Sequence, residues 1–360
     1  MKSVDKNAFI GCLLGTAVGD SLGLPYEGLS PRRAGKLFPD TSKHHLLFGK
    51  GMVSDDTEHA CFVAQALIRS QGNVDEFQKQ LARTLRWWLL ALPAGVGFAT
   101  ARAILKLWLG FSPRNSGVFS AGNGPAMRSP ILGVAFAHDA DALKRHVKAC
   151  TEITHSDPKA YYAALAVAIA AGDGASDIAR AGTSWPQDYL EKLRAFMPED
   201  DAREFHELAR RAARSAADDE PVAAFAEGSG SKNGISGYSY HTVPCVLQVW
   251  FRQGDDFEQG LQEIIRAGGD TDTAGAIFGG IVGARAGKAS IPASWLSKIM
   301  EWPRTISWIE RLGSATAQAT CEQPSKASCP RYFVPGVPLR NLFFLVIVLT
   351  HGFRRLLPPY

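Results

Sequence analysis

Two short clusters of carboxylate and hydroxyl side chains lie far apart in the sequence, and each stands where a helix is predicted to begin. The first is Ser-Asp-Asp-Thr at positions 54–57, and the second is Asp-Thr-Asp-Thr at 270–273. Asp, Ser and Thr start helices because their oxygens accept hydrogen bonds from unpaired backbone N–H groups. One such residue satisfies a cap, so each cluster carries more oxygens than capping needs. Two independent caps are the structural alternative to one shared site.

If folding brings the clusters together, four carboxylates converge. Like charges in contact cannot all stay ionised without cations between them. Neither cluster contains His or Cys, and ligands made only of oxygen favour hard ions such as Mg²⁺ or Mn²⁺. A helix N-terminus carries partial positive charge, which favours ionised carboxylates. Two divalent ions about 3.5–4 Å apart can clamp substrate oxygens and lower the pKa of a bound water.

The composition describes a globular chain with a large core. It has 360 residues, 46% hydrophobic and 21% charged, with a net charge of +4. This charge is small and dispersed, so nothing indicates specific nucleic-acid binding. The six cysteines form no C-x-x-C pair, which suits reduced thiols rather than a disulfide framework. No secretory signal is evident at the N-terminus, and we expect a cytoplasmic protein.

Apolar spacing at i, i+3 and i+4 predicts an all-α fold, because alternating strand patterns are nearly absent. Glycines at 11, 15 and 19 would allow close backbone approach within the first helix. Long loops, which tend to be functional, are expected at 23–53, 112–133 and 226–241. The predicted helices are 7–22, 56–70, 75–92, 98–110, 139–150, 158–171, 175–181, 199–216, 242–253, 256–267, 273–286 and 292–311.

Composition also suggests a domain organisation. Residues 1–312 are predicted to form one domain, because the two acidic clusters lie near its opposite ends. Ser, Ala, Gln, Pro and Gly accumulate over 313–338, which indicates a linker. The apolar tail 339–360 contains an eight-residue run at 342–349, short of the roughly 20 residues that a membrane-spanning helix needs. A buried or partner-facing tail helix is favoured over membrane contact.

Five motifs in order resemble the ADP-ribosylglycohydrolase family, which includes dinitrogenase-reductase-activating glycohydrolase and the ADP-ribosyl-acceptor hydrolases. They cover about 10 to 290. Each motif alone is weak evidence for the family, but five of them in the same order are strong evidence. They are the glycine-rich segment 11–23 with Glu27, the first acidic cluster, Gly-Asn-Gly-Pro-Ala-Met-Arg at 122–128, Thr-His-Ser-Asp-Pro at 154–158, and Gly-Gly followed by the second acidic cluster at 268–273.

The resemblance implies an orthogonal, all-α multi-helix bundle with a dinuclear site for two Mg²⁺ or Mn²⁺ ions at helix N-termini. Ser54 replaces the commoner threonine and keeps its hydroxyl oxygen, so metal binding should survive. The metal ligands implied are Ser54, Asp55, Asp56, Asp270, Asp272 and Thr273, and the catalytic residues implied are Glu27, Asp55, Asp56 and Asp272.

The resemblance also implies a substrate-binding set. The glycines at 122 and 124 flank Asn123 and would let backbone N–H groups approach a diphosphate, although Pro125 removes one donor. His155 and Ser156 would face ribose and phosphate, and Tyr238 could stack on adenine. The full set is Gly122, Asn123, Gly124, His155, Ser156 and Tyr238. Ordinary alternatives stay open: a turn, a capping-loop histidine, a packed tyrosine and, for Glu27, a solvated loop carboxylate.

The predicted function is metal-dependent hydrolysis of the glycosidic bond between ADP-ribose and a protein side chain or small acceptor. The ions would fix the ribose hydroxyls and position water while the sugar passes through an oxocarbenium-like state, unlike glycosidases that use two carboxylates alone. A two-metal phosphoesterase would use the same ligands on a nucleotide or sugar phosphate. A catalytically silent ADP-ribose-binding relative is the third hypothesis.

Overall fold

Two glycine-rich helices pair at the centre of the computed structural model, which describes residues 4–175, 185–322 and 326–358. Helix α1 (Lys6–Gly23) and helix α15 (Thr271–Ala286) run antiparallel with their backbones in contact. A Cβ at Gly15 would lie 2.0 Å from the carbonyl oxygen of Gly279, and one at Gly19 would lie 2.0 Å from that of Gly275. The four-residue glycine spacing therefore serves the close approach that the sequence predicts.

The remaining helices surround this pair, and the described residues contain only isolated β-bridges. In chain order the other helices are α2 (Pro31–Leu37), α3 (Asp55–Ser70), α4 (Val74–Leu90), α5 (Phe98–Trp108), α6 (Gly124–Met127), α7 (Pro130–Ala135), α8 (Ala140–Glu152), α9 (Pro158–Ala175), α10 (Trp185–Phe196), α11 (Glu199–Ala217), α12 (Val222–Gly228), α13 (Ser239–Gln253), α14 (Phe257–Ala267), α16 (Ala293–Ser297), α17 (Ile306–Ala317) and α18 (Gly336–Arg354). Helix α3 packs on α1 and α4, α9 packs on α7 and α15, and α13 packs on α11.

The all-α prediction is confirmed, and several element boundaries are corrected. The helix predicted over 292–311 is two helices, α16 and α17, because Pro303 has no N–H to donate and disfavours helix at the residue before it. The predicted loops at 23–53 and 112–133 contain α2, α6 and α7, and neither α10 nor α12 was predicted. Beyond Ala175, the helix predicted over 175–181 lies outside the described residues.

The predicted linker also differs from what the structure contains. Helix α17 continues to Ala317, so the boundary predicted between 312 and 313 falls inside a helix. Further on, the indole N–H of Trp308 donates to the carbonyl of Pro330 at 3.1 Å, and Tyr332 packs edge-on against the Trp308 ring. The described part of this segment is therefore packed on the body rather than extended away from it.

Two helices have the length and apolar composition of a membrane span. The first, Lys6–Tyr26, is buried from Ala8 onward and forms the core of the bundle. The second, Gly336–Arg354, is only 33% buried, and it extends well beyond the eight-residue apolar run at 342–349. Its inner face packs on the body through Phe344 and Ile347.

Candidate active site

The two acidic clusters meet at one place in the fold. The Thr273 hydroxyl donates to Oδ2 of Asp56 at 3.2 Å, and the Ser54 hydroxyl donates to the same oxygen at 3.0 Å. The antiparallel pairing of α1 and α15 produces this meeting, because it places the start of α15 at the end of α1. There the Thr271 hydroxyl donates to the carbonyl of Gly23 at 2.8 Å.

Helix capping accounts for one member of these clusters. The Ser54 hydroxyl accepts from the backbone N–H of Asp56 at 3.2 Å and so caps α3. Asp270 occupies the N-cap position of α15, but its side chain makes no capping bond. Its Oδ2 instead accepts from the amide of Asn123 at 2.6 Å. Two independent caps therefore do not explain the clusters.

Asp20, which is not among the site residues predicted from the sequence, holds the first cluster in place. Asp20 is fully buried in α1 and accepts from the backbone N–H groups of Ser54 and Thr57 at 2.9 and 3.2 Å. It also accepts from the Thr57 hydroxyl at 2.5 Å. Burial raises the pKa of Asp20 to about 7, although these hydrogen bonds oppose the shift. An aspartate inside an otherwise apolar, glycine-rich helix was the available signal.

Burial and mutual repulsion make it unfavourable for the carboxylates of the two clusters to be ionised together without a cation. Desolvation raises the pKa values of Asp55, Asp56 and Asp272 well above the usual range of a carboxyl group. Neighbouring carboxylates add to each shift: Asp20 raises the pKa of Asp55 and Asp56, while Glu27 raises that of Asp272. Groups in this arrangement either bind protons or require counter-charge.

Unused oxygens in the cluster fit a cation. Oδ1 of Asp56 and Oδ1 of Asp272 are buried and have no hydrogen-bond partner. An oxygen in that position is an available ligand for a hard ion. Across the described ranges, no group of three or more His, Cys, Asp or Glu side chains has metal-binding geometry by itself. The hydroxyls of Ser54 and Thr273 complement the carboxylates, and the dinuclear site remains a prediction.

The loop before α6 lies against the second cluster. The Asn123 amide donates both to Asp270 and, at 3.0 Å, to the hydroxyl of Thr242. The backbone N–H of Asn123 donates to the carbonyl of Gly237 at 3.1 Å. Gly122 forms an isolated antiparallel bridge with Tyr238. The loop predicted to bind substrate is thus joined to the second acidic cluster by the hydrogen bond from Asn123 to Asp270.

His155 lies beneath the same loop. A Cβ at Gly122 would come within 3.0 Å of its Nε2, and one at Gly124 within 3.3 Å of its Cε1. Burial, assisted by the charge of Arg128, lowers the pKa of His155 to about 3, so the ring is neutral. Arg128 donates to the Thr154 hydroxyl at 2.6 Å, and that hydroxyl lies 2.9 Å from Nδ1 of His155. Because arginine can only donate, the Thr154 hydroxyl accepts from Arg128 and can donate its own proton to Nδ1 of His155. This arrangement favours the tautomer that carries its proton on Nε2, which faces the loop.

Glu27 lies at the accessible edge of the site. Glu27 is an exposed residue, but desolvation and the charge of Asp270 raise the pKa of its carboxyl. Arg355, just beyond α18, opposes that shift. The Arg355 guanidinium donates to the carbonyl of Pro25 at 3.2 Å, and its Nη1 would lie 3.8 Å from a Cβ at Gly28. No sequence motif pointed to this cation from the tail.

The remaining predicted residues occupy the rim. Tyr238 is 40% exposed, and its hydroxyl accepts from Lys159 at 3.0 Å. Ser156 is exposed, while its backbone N–H donates to the carbonyl of Val118 at 2.9 Å. The neighbouring Tyr240 is buried against Phe205. Because the Tyr238 ring is partly exposed, it is available to contact a ligand.

The chain is similar to known proteins in sequence and in fold. A family model described as ADP-ribosylglycohydrolase matches residues 1–326. The chain belongs to the ADP-ribosylglycohydrolase family. It is 28% identical over 301 residues to the ADP-ribosyl-[dinitrogen reductase] glycohydrolase of Rhodospirillum rubrum, covering 81% of this chain and 89% of that protein. It is 25% identical over 376 residues to ADP-ribosylhydrolase ARH3 of Gallus gallus, covering 88% and 94%.

A solved structure shares the fold. It is described as an ADP-ribosylglycohydrolase-related protein complex and matches with a TM-score of 0.67 at 25% identity. The match covers 88% of this chain and 98% of the other. The family model ends at 326, so α18 and Arg355 lie beyond the matched residues.

Proposed function

We propose that this protein is a divalent-metal-dependent hydrolase that releases ADP-ribose from a protein side chain or a small acceptor. The supporting observation is the contact between Thr273 and Asp56, which joins helix starts 217 residues apart in a buried carboxylate cluster. Family membership supports the substrate class, since both named relatives carry ADP-ribosyl hydrolase names.

The metal ligands in this proposal are Ser54, Asp55, Asp56, Asp270, Asp272 and Thr273. When bound, two Mg²⁺ or Mn²⁺ ions would supply Lewis-acid chemistry to a water and to the sugar hydroxyls. Asp20 holds the backbone of the first cluster through Ser54 and Thr57. Asn123 orients Asp270 and connects that ligand to the substrate loop.

The other side chains would bind and orient the substrate. A neutral His155 with its proton on Nε2 can donate a hydrogen bond without adding charge, and its ring supports the loop at Gly122 and Gly124. Glu27 has a raised pKa and stands at the accessible edge, so it can hold or release a proton near the scissile bond. Tyr238 offers an exposed ring for a planar base.

The experiment incubates the protein with Mg²⁺ and three probes: ADP-ribosyl-arginine, an ADP-ribosyl-serine peptide and bis(p-nitrophenyl) phosphate. Chromatography then follows ADP-ribose, and absorbance follows nitrophenol. Release of ADP-ribose that EDTA abolishes is the expected result, and the better of the two ADP-ribosyl probes identifies the acceptor class.

Matched variants separate the site from the fold. Asp272→Asn should lower turnover at least ~100-fold, a size typical of losing an electrostatic catalytic contact. Asp141→Asn makes the same chemical change on the exposed surface of α8 and should keep full activity. Nitrophenol release without ADP-ribose would instead support a phosphoesterase, and tight ADP-ribose binding without turnover would support a silent relative.

A further inference from the structure

Helix α18 leaves a long apolar face uncovered. Its exposed large side chains recur every three or four residues, which places them on one side of the helix. Each is about half exposed or more, and the series continues past the helix end. The members are Leu339, Leu342, Phe343, Val346, Leu349, Phe353, Leu356 and Leu357. At roughly 100 Å² each they would expose about 800 Å², as much as one partner contributes to a standard protein interface.

The opposite face holds α18 firmly on the body. Arg340 is buried and forms an ion pair with Glu301 at 2.8 Å. The Asn341 amide donates to the carbonyl of Ala91 at 2.8 Å, and His351 contacts the carbonyl of Leu46. Drawing this helix through a bilayer would break the buried pair, at high cost. The geometry therefore suits contact along the helix rather than insertion end-on.

Two loop tips extend the apolar face beyond the helix. Phe48 is 98% exposed and Leu92 is 76% exposed, each within two residues of a backbone carbonyl that contacts α18. Both have positive φ, 47° and 55°, which bulky residues rarely adopt. A surface that exposes such residues on separate loops around an apolar helix indicates a broad apolar contact.

Charge distinguishes a membrane from a second copy of the chain. From residue 323 to 360 the sequence contains no Asp or Glu, while Lys326, Arg331, Arg340, Arg354 and Arg355 are basic. Arg331 and Arg354 are exposed, the first five residues before α18 begins and the second at its last residue. The three-and-four spacing would also suit helix pairing. Two copies paired on this face, however, would bring basic rims together, whereas an anionic lipid surface complements them.

We propose that α18, with the flanking tips Phe48 and Leu92, docks the protein on the surface of a bilayer that contains anionic lipid. The helix lies along the interface with its apolar face among the acyl chains and its basic rim among the headgroups. The body remains on the aqueous side, held by the Arg340–Glu301 pair.

Vesicle co-sedimentation of the full chain tests this proposal. We expect at least ~10-fold stronger binding to phosphatidylcholine vesicles with about one-third phosphatidylserine than to phosphatidylcholine alone, weakening as salt rises. Leu342→Asp combined with Val346→Asp should abolish binding. Arg331→Gln combined with Arg354→Gln should weaken binding to anionic vesicles roughly 10-fold or more.

A charge-matched control keeps the test interpretable. Gln187→Asp with Gln259→Asp adds the same two negative charges at exposed first-turn positions of α10 and α14, and it should bind vesicles like the parent protein. Thermal unfolding of all variants establishes that they fold. No binding by the folded parent, or equal loss in the control, would overturn the proposal. So would a dimer in sedimentation equilibrium that Leu342→Asp with Val346→Asp dissociates.

Discussion

Asp56→Asn should make the metal-free protein more stable, although substitutions of buried polar residues usually destabilise. Asp56 is buried, and its pKa is raised first by desolvation and then by the charges of Asp20, Asp55 and Asp270. At an effective dielectric constant near 20, two like charges about 5 Å apart repel by roughly 3 kcal/mol. Above neutral pH the native chain must bear that repulsion or bind a proton that the unfolded chain lacks.

The substitution has a cost that sets the size of the effect. The asparagine carbonyl can keep the contacts of Oδ2 with Ser54 and Thr273 at 3.0 and 3.2 Å. Its NH₂ would then occupy the position of Oδ1, which has no partner, and a buried donor without a partner costs about 1–3 kcal/mol. The balance is a net gain of up to about 2 kcal/mol in the free energy of unfolding.

Urea unfolding at pH 8, in EDTA and then in Mg²⁺, is the assay. In EDTA, Asp56→Asn should unfold at higher urea than the parent protein. Mg²⁺ at about 100 times its Kd should stabilise the parent by about 2.7 kcal/mol and the variant by almost nothing, so the order reverses. Asp141→Asn should follow the parent within about 0.5 kcal/mol. A less stable variant in EDTA, or equal Mg²⁺ shifts in both proteins, would refute the reasoning.

Three further outcomes follow from the same structure. The pKa of Asp20 is raised from 3.8 to about 7 in the folded state, so folding favours the protonated form of this carboxyl. The free energy of unfolding of the metal-free protein should therefore fall as pH rises from about 4 to about 7. Urea unfolding at a series of pH values measures this slope, and Mg²⁺ should flatten it. Asn123→Asp should weaken ADP-ribose binding by calorimetry more than Asn123→Ala, since it places a carboxylate against Asp270; equal losses would show that the amide does not orient that ligand. Gly15→Ala should lower the free energy of unfolding by more than about 3 kcal/mol or prevent folding, because its Cβ would lie 2.0 Å from a backbone carbonyl oxygen. Gly35→Ala, which has open space around the new Cβ, should be neutral or mildly stabilising, and urea unfolding measures both.

The sequence predicted the parts of this molecule that depend on local pattern. Helical periodicity identified most helices, and four-residue glycine spacing predicted the close packing of α1. The acidic clusters were expected at helix starts, and they begin α3 and α15. Their excess of oxygens over capping needs predicted a shared location, which the contact between Thr273 and Asp56 confirms.

What could not be predicted depends on which faces meet. Asp20 was visible as a carboxylate in an apolar helix, but only the packing of α1 on α3 shows that it holds the backbone of Ser54 and Thr57. The bond from Asn123 to Asp270 joins residues 147 positions apart through two loops. Arg355 approaches the site because α18 docks across the body, and no local pattern encodes that path. By contrast, Pro303 is a local signal that indicates the break before α17.

Electron paramagnetic resonance of the Mn²⁺-loaded protein tests the central claim most directly. Two Mn²⁺ ions about 3.5–4 Å apart, held by both helix starts, would give the spectrum of a spin-coupled pair. We predict that spectrum for the parent protein and its loss in both Asp56→Asn and Asp272→Asn. Spectra of isolated Mn²⁺ in the parent, or a variant of one cluster that leaves ions at the other undisturbed, would contradict a shared site.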